Sequence, residues 1–497
     1  MKIRKLLSFG LVIAGLMSCS SNDSLPDKPG VTQEGPNMKV VVKLPTKSSS
    51  RADGSLSEEG TESENTAKSV LIALYDTNGQ LAKIFKQKLV NIESGIYNTE
   101  TFIAEGIELD KEYKTYLFVN PYSGLEDVLA TEKDKGLNSK LPTLTDASVT
   151  LKQITSQNEF FMTTANPVNP VKVEATAKNK STPYHIEAKV ERAAARFDFM
   201  NTQDENSYTI SKVGQPKVTI DMKDAKLLNL SRSLYNLRRT NKSGGVNEEI
   251  TLGGNEDETN YVVDTDWAEK VGSSDNWSSL FFSPLINSED FEKNKYIPLV
   301  DELDKSESLF YATENTIPKE KENMKGLATA VVFRGLINFN PSDLGVDITK
   351  HQPIYVWNNT LYGIFNNLPP GIKAELANGE SSTKDEFVKA GVNRYTYDDA
   401  LKGYPIYYVY YNKHNVTKSS KPENAPMEFA VVRNNVYKLS ISAVNMFGHP
   451  NDPEDNNPKN PDINPEDPKE PPKVDNIYMD VKCTVLPWIV RNNTIEL

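Results

Sequence analysis

Sulfur and imidazole are scarce in this chain. Of its 497 residues, only Cys19 and Cys483 are cysteines, and only His185, His351, His414 and His449 are histidines. Two cysteines rule out a disulfide framework. The histidines never stand at a metal-ligand spacing such as H-E-x-x-H, so neither a zinc site nor a histidine-centred catalytic site is expected. A G-x-S-x-G nucleophile elbow, a Walker loop and a dinucleotide fingerprint are also missing. The sequence thus predicts no enzyme activity, no metal and no cofactor. It also lacks basic stripes: the formal net charge is -12, which argues against a nucleic-acid partner. Acidic clusters such as Asp452-Pro453-Glu454-Asp455 have neither the spacing nor the glycine of a calcium loop, and read as solvated linker. Beyond Met17 no apolar run of about 18 residues occurs, so no later segment is expected to span a membrane.

What the chain does have begins at its amino terminus. Lys2, Arg4 and Lys5 precede the apolar run Leu6 to Met17, and Leu16-Met17-Ser18-Cys19 closes it. Basic end, apolar core and cysteine in that order resemble a bacterial lipoprotein signal. Residues 1–18 are then a leader, and Cys19 is the residue that accepts the lipid. An exported, lipid-tethered protein is expected.

The rest reads as strands separated by Asn, Gly, Pro and Asp, which predicts an all-β chain. After a polar tether, Met38, Val40, Val42 and Leu44 alternate with Lys39, Val41 and Lys43; a period of two puts the four on one face. Thr46 to Lys68 carries almost no apolar residue and reads as an exposed or disordered loop, with Arg51 at its SSSRADG centre. Ser69 to Tyr75 and Gln80 to Leu89 flank Asp76-Thr77-Asn78-Gly79 and predict a hairpin. Further strands are expected at Tyr113 to Val119, from Phe160, at Val218 to Met222, at Ala328 to Ile337 as a central strand, at Tyr404 to Tyr411, and after the Arg433-Asn434-Asn435 turn, with Tyr437, Leu439, Ile441 and Ala443 on one face. Arg192 to Arg196 marks a junction between two domains. Its alanines favour helix by propensity while its flanks favour strand, and both readings stay open.

The closing stretch is the most suggestive. A spacer over residues 449–473 repeats proline among Asn, Asp, Glu and Lys, a composition that stays extended. Beyond it, in segment 474–497, Ile477, Met479, Val481, Cys483 and Val485 alternate with polar residues. Such a tether can carry a strand beyond its own domain, or the strand can fold back on its own sheet.

Taken in order, these pieces resemble one family. The Cys19 signal, the strand with the Arg51 loop, Val190-Glu191-Arg192-Ala193-Ala194-Ala195-Arg196, Arg433-Asn434-Asn435-Val436-Tyr437, the Pro-rich spacer and the ending Val485-Leu486-Pro487-Trp488 to Ile495-Glu496-Leu497 resemble the fimbrial subunits of Bacteroidales, the type V pilins. They are most similar to the major subunit of the minor, or short, fimbriae. Between Asn201 and Tyr404 there is little likeness.

The resemblance implies two transthyretin-like β-sandwich domains, here residues 52–194 and 195–448, behind a propeptide of residues 19–51. It implies that an arginine-specific protease cuts after Arg51, leaving Ala52 as the new amino terminus, although Lys47 offers a trypsin-like enzyme an alternative. The strand of Met38, Val40, Val42 and Leu44 is then displaced. A neighbour's donor strand, with Ile477, Met479, Val481, Cys483, Val485 and Trp488, fills the groove. The implied partners are copies of the same chain, accessory tip and anchor subunits, the protease and an unidentified host or bacterial surface receptor. The expected function is a polymerising shaft subunit of adhesive fimbriae; the alternative is a monomeric surface lipoprotein that binds glycan or host protein through Tyr404 to Tyr411.

Overall fold

A computed structural model describes residues 35–45, 57–131, 147–165, 169–210, 215–231, 233–241, 261–265, 281–282, 296–317, 327–414, 427, 429–452 and 478–489. In chain order its main elements begin with β1 (Asn37–Lys43), β2 (Glu58–Glu59), the single-turn α1 (Glu62–Asn65), β3 (Ser69–Tyr75) and β4 (Leu81–Lys88). Next come β5 (Val90–Glu93), β6 (Ile96–Asn98), β7 (Phe102–Ile103), β8 (Glu112–Val119), α2 (Leu125–Thr131), α3 (Ala147–Ile154) and β9 (Met162–Thr164). β10 (Tyr184–Arg192), β11 (Ala195–Met200), β12 (Val218–Leu228), β13 (Ser306–Ala312) and β14 (Ala330–Phe339) follow. β15 (Tyr404–Tyr411), β16 (Asn435–Val444) and β17 (Met479–Ile489) complete the set. The chain is all-β, with a few short helices.

The amino-terminal unit is one sheet in the order β4-β3-β8-β9-β10-β1-β6-β5, with β7 beside β1. It curls so that its two ends share a core. Val70, Ile72 and Leu74 of β3 meet Met38, Val40 and Val42 of β1, with Leu117 of β8 and Val190 of β10 between them. The β3–β4 hairpin turns where expected. Asp76 Oδ1 accepts from the backbone N–H of Asn78 and of Gln80, each at 2.9 Å, and Gly79 supplies the positive φ of 80° that the turn needs.

The carboxy-terminal unit is a sandwich. A sheet ordered β2-β17-β16-β11-β13 faces another in which β14 lies between β12 and β15. Phe197, Tyr437, Leu439 and Ile441 of the first meet Ile220, Phe333, Ile406 and Tyr408 of the second in a common core. β14 is central as its sequence predicted, pairing with both neighbours along its length. The tyrosine-rich β15 is covered on both faces. Tyr404, Tyr407, Tyr408 and Tyr411 are all buried and Tyr410 is half-buried, so its rings fill the fold instead of facing solvent.

The ambiguity at the junction resolves to strand. Glu191 to Phe199 forms the end of β10 and most of β11, joined through Ala193-Ala194. Ala193, Ala194 and Ala195 are fully buried, so close packing between the units, which only small side chains permit, overrides the helical propensity of alanine. Two smaller departures have local causes. In β16 a bulge between Ile441 and Ala443 turns Val444, and not Ala443, into the core. Of the supposed loop Thr46 to Lys68, residues 57–68 are built into the fold. Among the described residues no helix is long and apolar enough to cross a membrane, and no cluster of His, Cys, Asp and Glu could hold a metal ion.

Candidate functional site: the two terminal strands and the junction

β1 sits in the interior of its sheet. Six residues, Met38 to Lys43, run in parallel register with Tyr184 to Lys189 of β10. On its other side β1 pairs antiparallel with β6 and β7. The backbone beyond the ladder is also used. Val40 N–H donates to Thr99 Oγ1 at 3.0 Å, Leu44 N–H donates to the Gly95 carbonyl at 2.9 Å, and Ala104 N–H donates to the Pro36 carbonyl at 2.8 Å. Asn37 Nδ2 donates to the carbonyls of Ala177 and Lys178. The predicted alternation holds throughout: Met38, Val40 and Val42 are 0% exposed and Leu44 is 2% exposed. Just before β1 the chain comes so close to Ala104 that a Cβ on Gly35 would lie 2.4 Å from its carbonyl oxygen.

β17 is placed differently. It lies along β16 of its own unit, antiparallel over nine residue pairs from Asn435↔Pro487 to Val444↔Met479. Among the described residues its other edge pairs only with β2, in parallel at Glu58↔Trp488 and Glu59↔Ile489. Met479 and Cys483 point into the core and Val481 packs half-buried against it, as the alternation predicted. Leu486, on the opposite face, is buried too, which the alternation did not foresee. Burial pushes the Cys483 thiol up to about 12, so this cysteine is an inert apolar group. Val485 and Trp488 belong to the strand, but their side chains lie outside the described residues, as does Ile477 entirely.

The spacer leaves and returns at one place. Lys226 Nζ holds Asp452 at 2.5 Å, and the Tyr296 hydroxyl donates to the same carboxylate at 3.1 Å. Where the chain comes back, the Tyr478 carbonyl accepts from the Asn445 and Met446 N–H groups at 2.8 and 3.2 Å. The Tyr478 ring lies 5.7 Å from that of His449.

Between these strands the junction is held by buried charge. Arg196 grips Asp198 with two hydrogen bonds of 2.9 Å and Glu64 at 2.8 Å. Glu64, 1% exposed, also accepts from the Tyr311 hydroxyl at 2.6 Å. The Arg192 guanidinium donates to the Glu64 carbonyl, to Asn65 Oδ1 and to Asn434 Oδ1. A second pair of bridges, Arg238 to Glu191 at 2.7 Å and Arg433 to Glu314 at 2.6 Å, lies alongside. Burial pushes the Glu191 carboxyl up to about 7 even with Arg238 beside it. α1 is built for this role: Thr61 and Glu64 cap each other reciprocally, the T-x-x-E pattern that stops a short turn from fraying. Breaking a buried pair of this kind typically costs about 3–5 kcal/mol.

Of the residues singled out in the sequence, the structure thus puts Met38, Val40, Val42 and Leu44 in one core. It puts Met479, Val481 and Cys483 in another. The two sets do not meet. Cys19, Arg51 and Ala52 lie outside the described residues. Glu58, Glu64 and Tyr311 were not singled out, although the capping pattern at Thr61 to Glu64 was there to be read.

Residues 401–494 match the family "Major fimbrial subunit protein type IV, Fimbrillin, C-terminal". Over that segment the chain is similar to the fimbrial subunit proteins. The matched span covers β15, β16 and β17, so the carboxy-terminal strand lies inside the fimbrillin segment. No match is found among curated protein sequences. Several solved structures are similar in outline. A candidate cell adhesion protein from Parabacteroides distasonis is 13% identical with a TM-score of 0.45, covering 92% of this chain and 99% of its own. A fimbrilin from Porphyromonas gingivalis is 13% identical with a TM-score of 0.38 over 92% and 99%. A carboxy-terminally truncated tip fimbrial protein from the same organism is 10% identical with a TM-score of 0.33 over 91% and 100%.

Proposed function

We propose that this fimbrial subunit is a shaft subunit that polymerises by exchanging strands, giving up β1 and accepting the carboxy-terminal strand of a neighbour. The observation that carries this reading is the interior position of β1. Removing an edge strand leaves a sheet nearly intact, but removing β1 strips β10 on one side and β6 and β7 on the other. It also empties a trough that held four apolar side chains, worth roughly 6–12 kcal/mol of gross burial at ~1.5–3 kcal/mol each. Unpaired backbone beside an apolar trough is costly to leave open and is satisfied by another alternating strand.

β17 has the required alternation and hangs on a tether. The 25 residues from 453 to 477 reach about 75 Å if extended at ~3.1 Å each, further than a domain is wide. In this reading the precursor is lipidated at Cys19, exported to the outer membrane and cut after Arg51 by an arginine-specific protease. The mature subunit starts at Ala52, with residues 52–194 and 195–448 as its two domains, and joins accessory tip and anchor subunits in an adhesive surface fimbrium whose receptor is yet to be identified.

The test uses purified chain cut at Arg51, with and without residues 478–497. The full-length cut chain is expected to give ladders on unboiled SDS gels, and the truncated one a folded monomer. Polymerisation of the truncated chain contradicts the donor role of β17.

A further inference from the structure

We propose that residues Ser57 to Asn65 form a latch that keeps β17 on its own unit until the chain is cut. The proposal rests on the strand-donor reading above and adds the control that reading lacks: what stops the donor from leaving early. A strand at a sheet edge leaves by fraying from an end. The amino-terminal end of β17 is held by the Tyr478 contacts with Asn445 and Met446. The carboxy-terminal end is covered by β2, at Trp488 and Ile489, and the rest of that edge carries no other strand of the described residues.

β2 is held less by apolar burial than by charge that reaches across β17. In the sheet order β2-β17-β16, the Glu58 carboxylate spans the middle strand to reach Lys438 Nζ on β16 at 2.6 Å. It also lies 3.6 Å from Arg196 on β11. Lys438 is the register partner of Thr484, while Glu58 pairs with Trp488, so the ion pair straps one face of β17 near its end. Behind Glu58, α1 is fixed to the junction through Glu64, Arg192, Arg196 and Tyr311.

The position of this strap in the sequence gives it its meaning. In the uncut chain the latch has two anchors. One is α1 at the junction. The other is Leu44, hydrogen-bonded to Gly95 in the amino-terminal unit and joined to Ser57 by residues 45–56. A cut at Arg51 severs the second anchor and leaves the first. One proteolytic event therefore frees the strand that blocks the acceptor groove and loosens the strap on the donor.

Hydrogen exchange by mass spectrometry, on the full chain after leader removal, reads this directly. In uncut Glu58→Ala the amides of residues 479–489 are expected to exchange about ten-fold faster than in the uncut native chain, with those of β1, β12 and β14 unchanged. Cutting the native chain at Arg51 is expected to raise exchange in the same peptide when the cut chain is read as a monomer, before subunits assemble. Unchanged exchange at 479–489 in both Glu58→Ala and the cut chain overturns the latch. So does a rise that spreads equally to β12 and β14, which would make Glu58 a general stabiliser of the unit. The donor reading fails separately: faster exchange at 479–489 in cut chain that never polymerises leaves the latch standing and removes the donor role.

Discussion

β1 and β17 are both alternating strands near a chain end, yet the fold treats them oppositely. β1 has a partner on each side and its inward residues are essentially unexposed. β17 has one full-length partner, a two-residue clasp on its other edge, and an inward face of which Val481 is only half-buried. Pattern alone makes the two look interchangeable; placement separates a strand whose loss ruins a sheet from one that can leave a sheet largely standing. That asymmetry suits an exchange in which the costly vacancy is created on the acceptor and the donor is taken from a cheaper site.

The largest expected effect tests this asymmetry. Val40→Asp places a carboxylate in a dry core between paired strands and is expected to cost about 4 kcal/mol or more, while Val481→Asp, half-exposed on its strand, is expected to cost about 1–2 kcal/mol. Urea titration of the uncut chain measures both. Equal losses would mean that β17 is as deeply committed as β1, and the comparison breaks.

A smaller effect sharpens it through pH. His414 is buried beside the Tyr437 hydroxyl at 2.9 Å, and burial pushes its pKa down to about 4. A histidine neutral in the fold and able to protonate when unfolded supports stability above pH about 6.5, and that support is lost as pH falls toward 4, by up to about 3 kcal/mol. His185, in the amino-terminal unit, is exposed. Calorimetry between pH 7 and 4 is expected to show the carboxy-terminal unit weakening more steeply, with His414→Phe flattening the trend. A parallel decline in both units, unaltered by that substitution, contradicts the assignment.

Much of the fold could be read from residue order because its signals are local. The alternation of Met38 to Leu44, the Asp76 to Gly79 turn and the period of Tyr437 to Ile441 each need only a few neighbours to be interpreted. What stayed hidden depends on contacts distant in sequence. Nothing near Glu64 announces Arg196, 132 residues away, so residues 57–65 looked like loop when they are fastened to the junction. The alanines of 193–195 could be read as helix or strand until their burial between two units decided it. The burial of Leu486 against its strand's apparent polarity reflects a second packed face that a single period cannot show. The candidate site was legible in the same measure: its strands were visible, but the seat of β17 was not.

Strand exchange requires the loss of β1, so the most direct measurement is the intact mass and amino-terminal sequence of subunits taken from assembled surface filaments. A subunit beginning at Ala52, with Met38 to Leu44 absent, is the predicted result. Filaments whose subunits retain that strand contradict it.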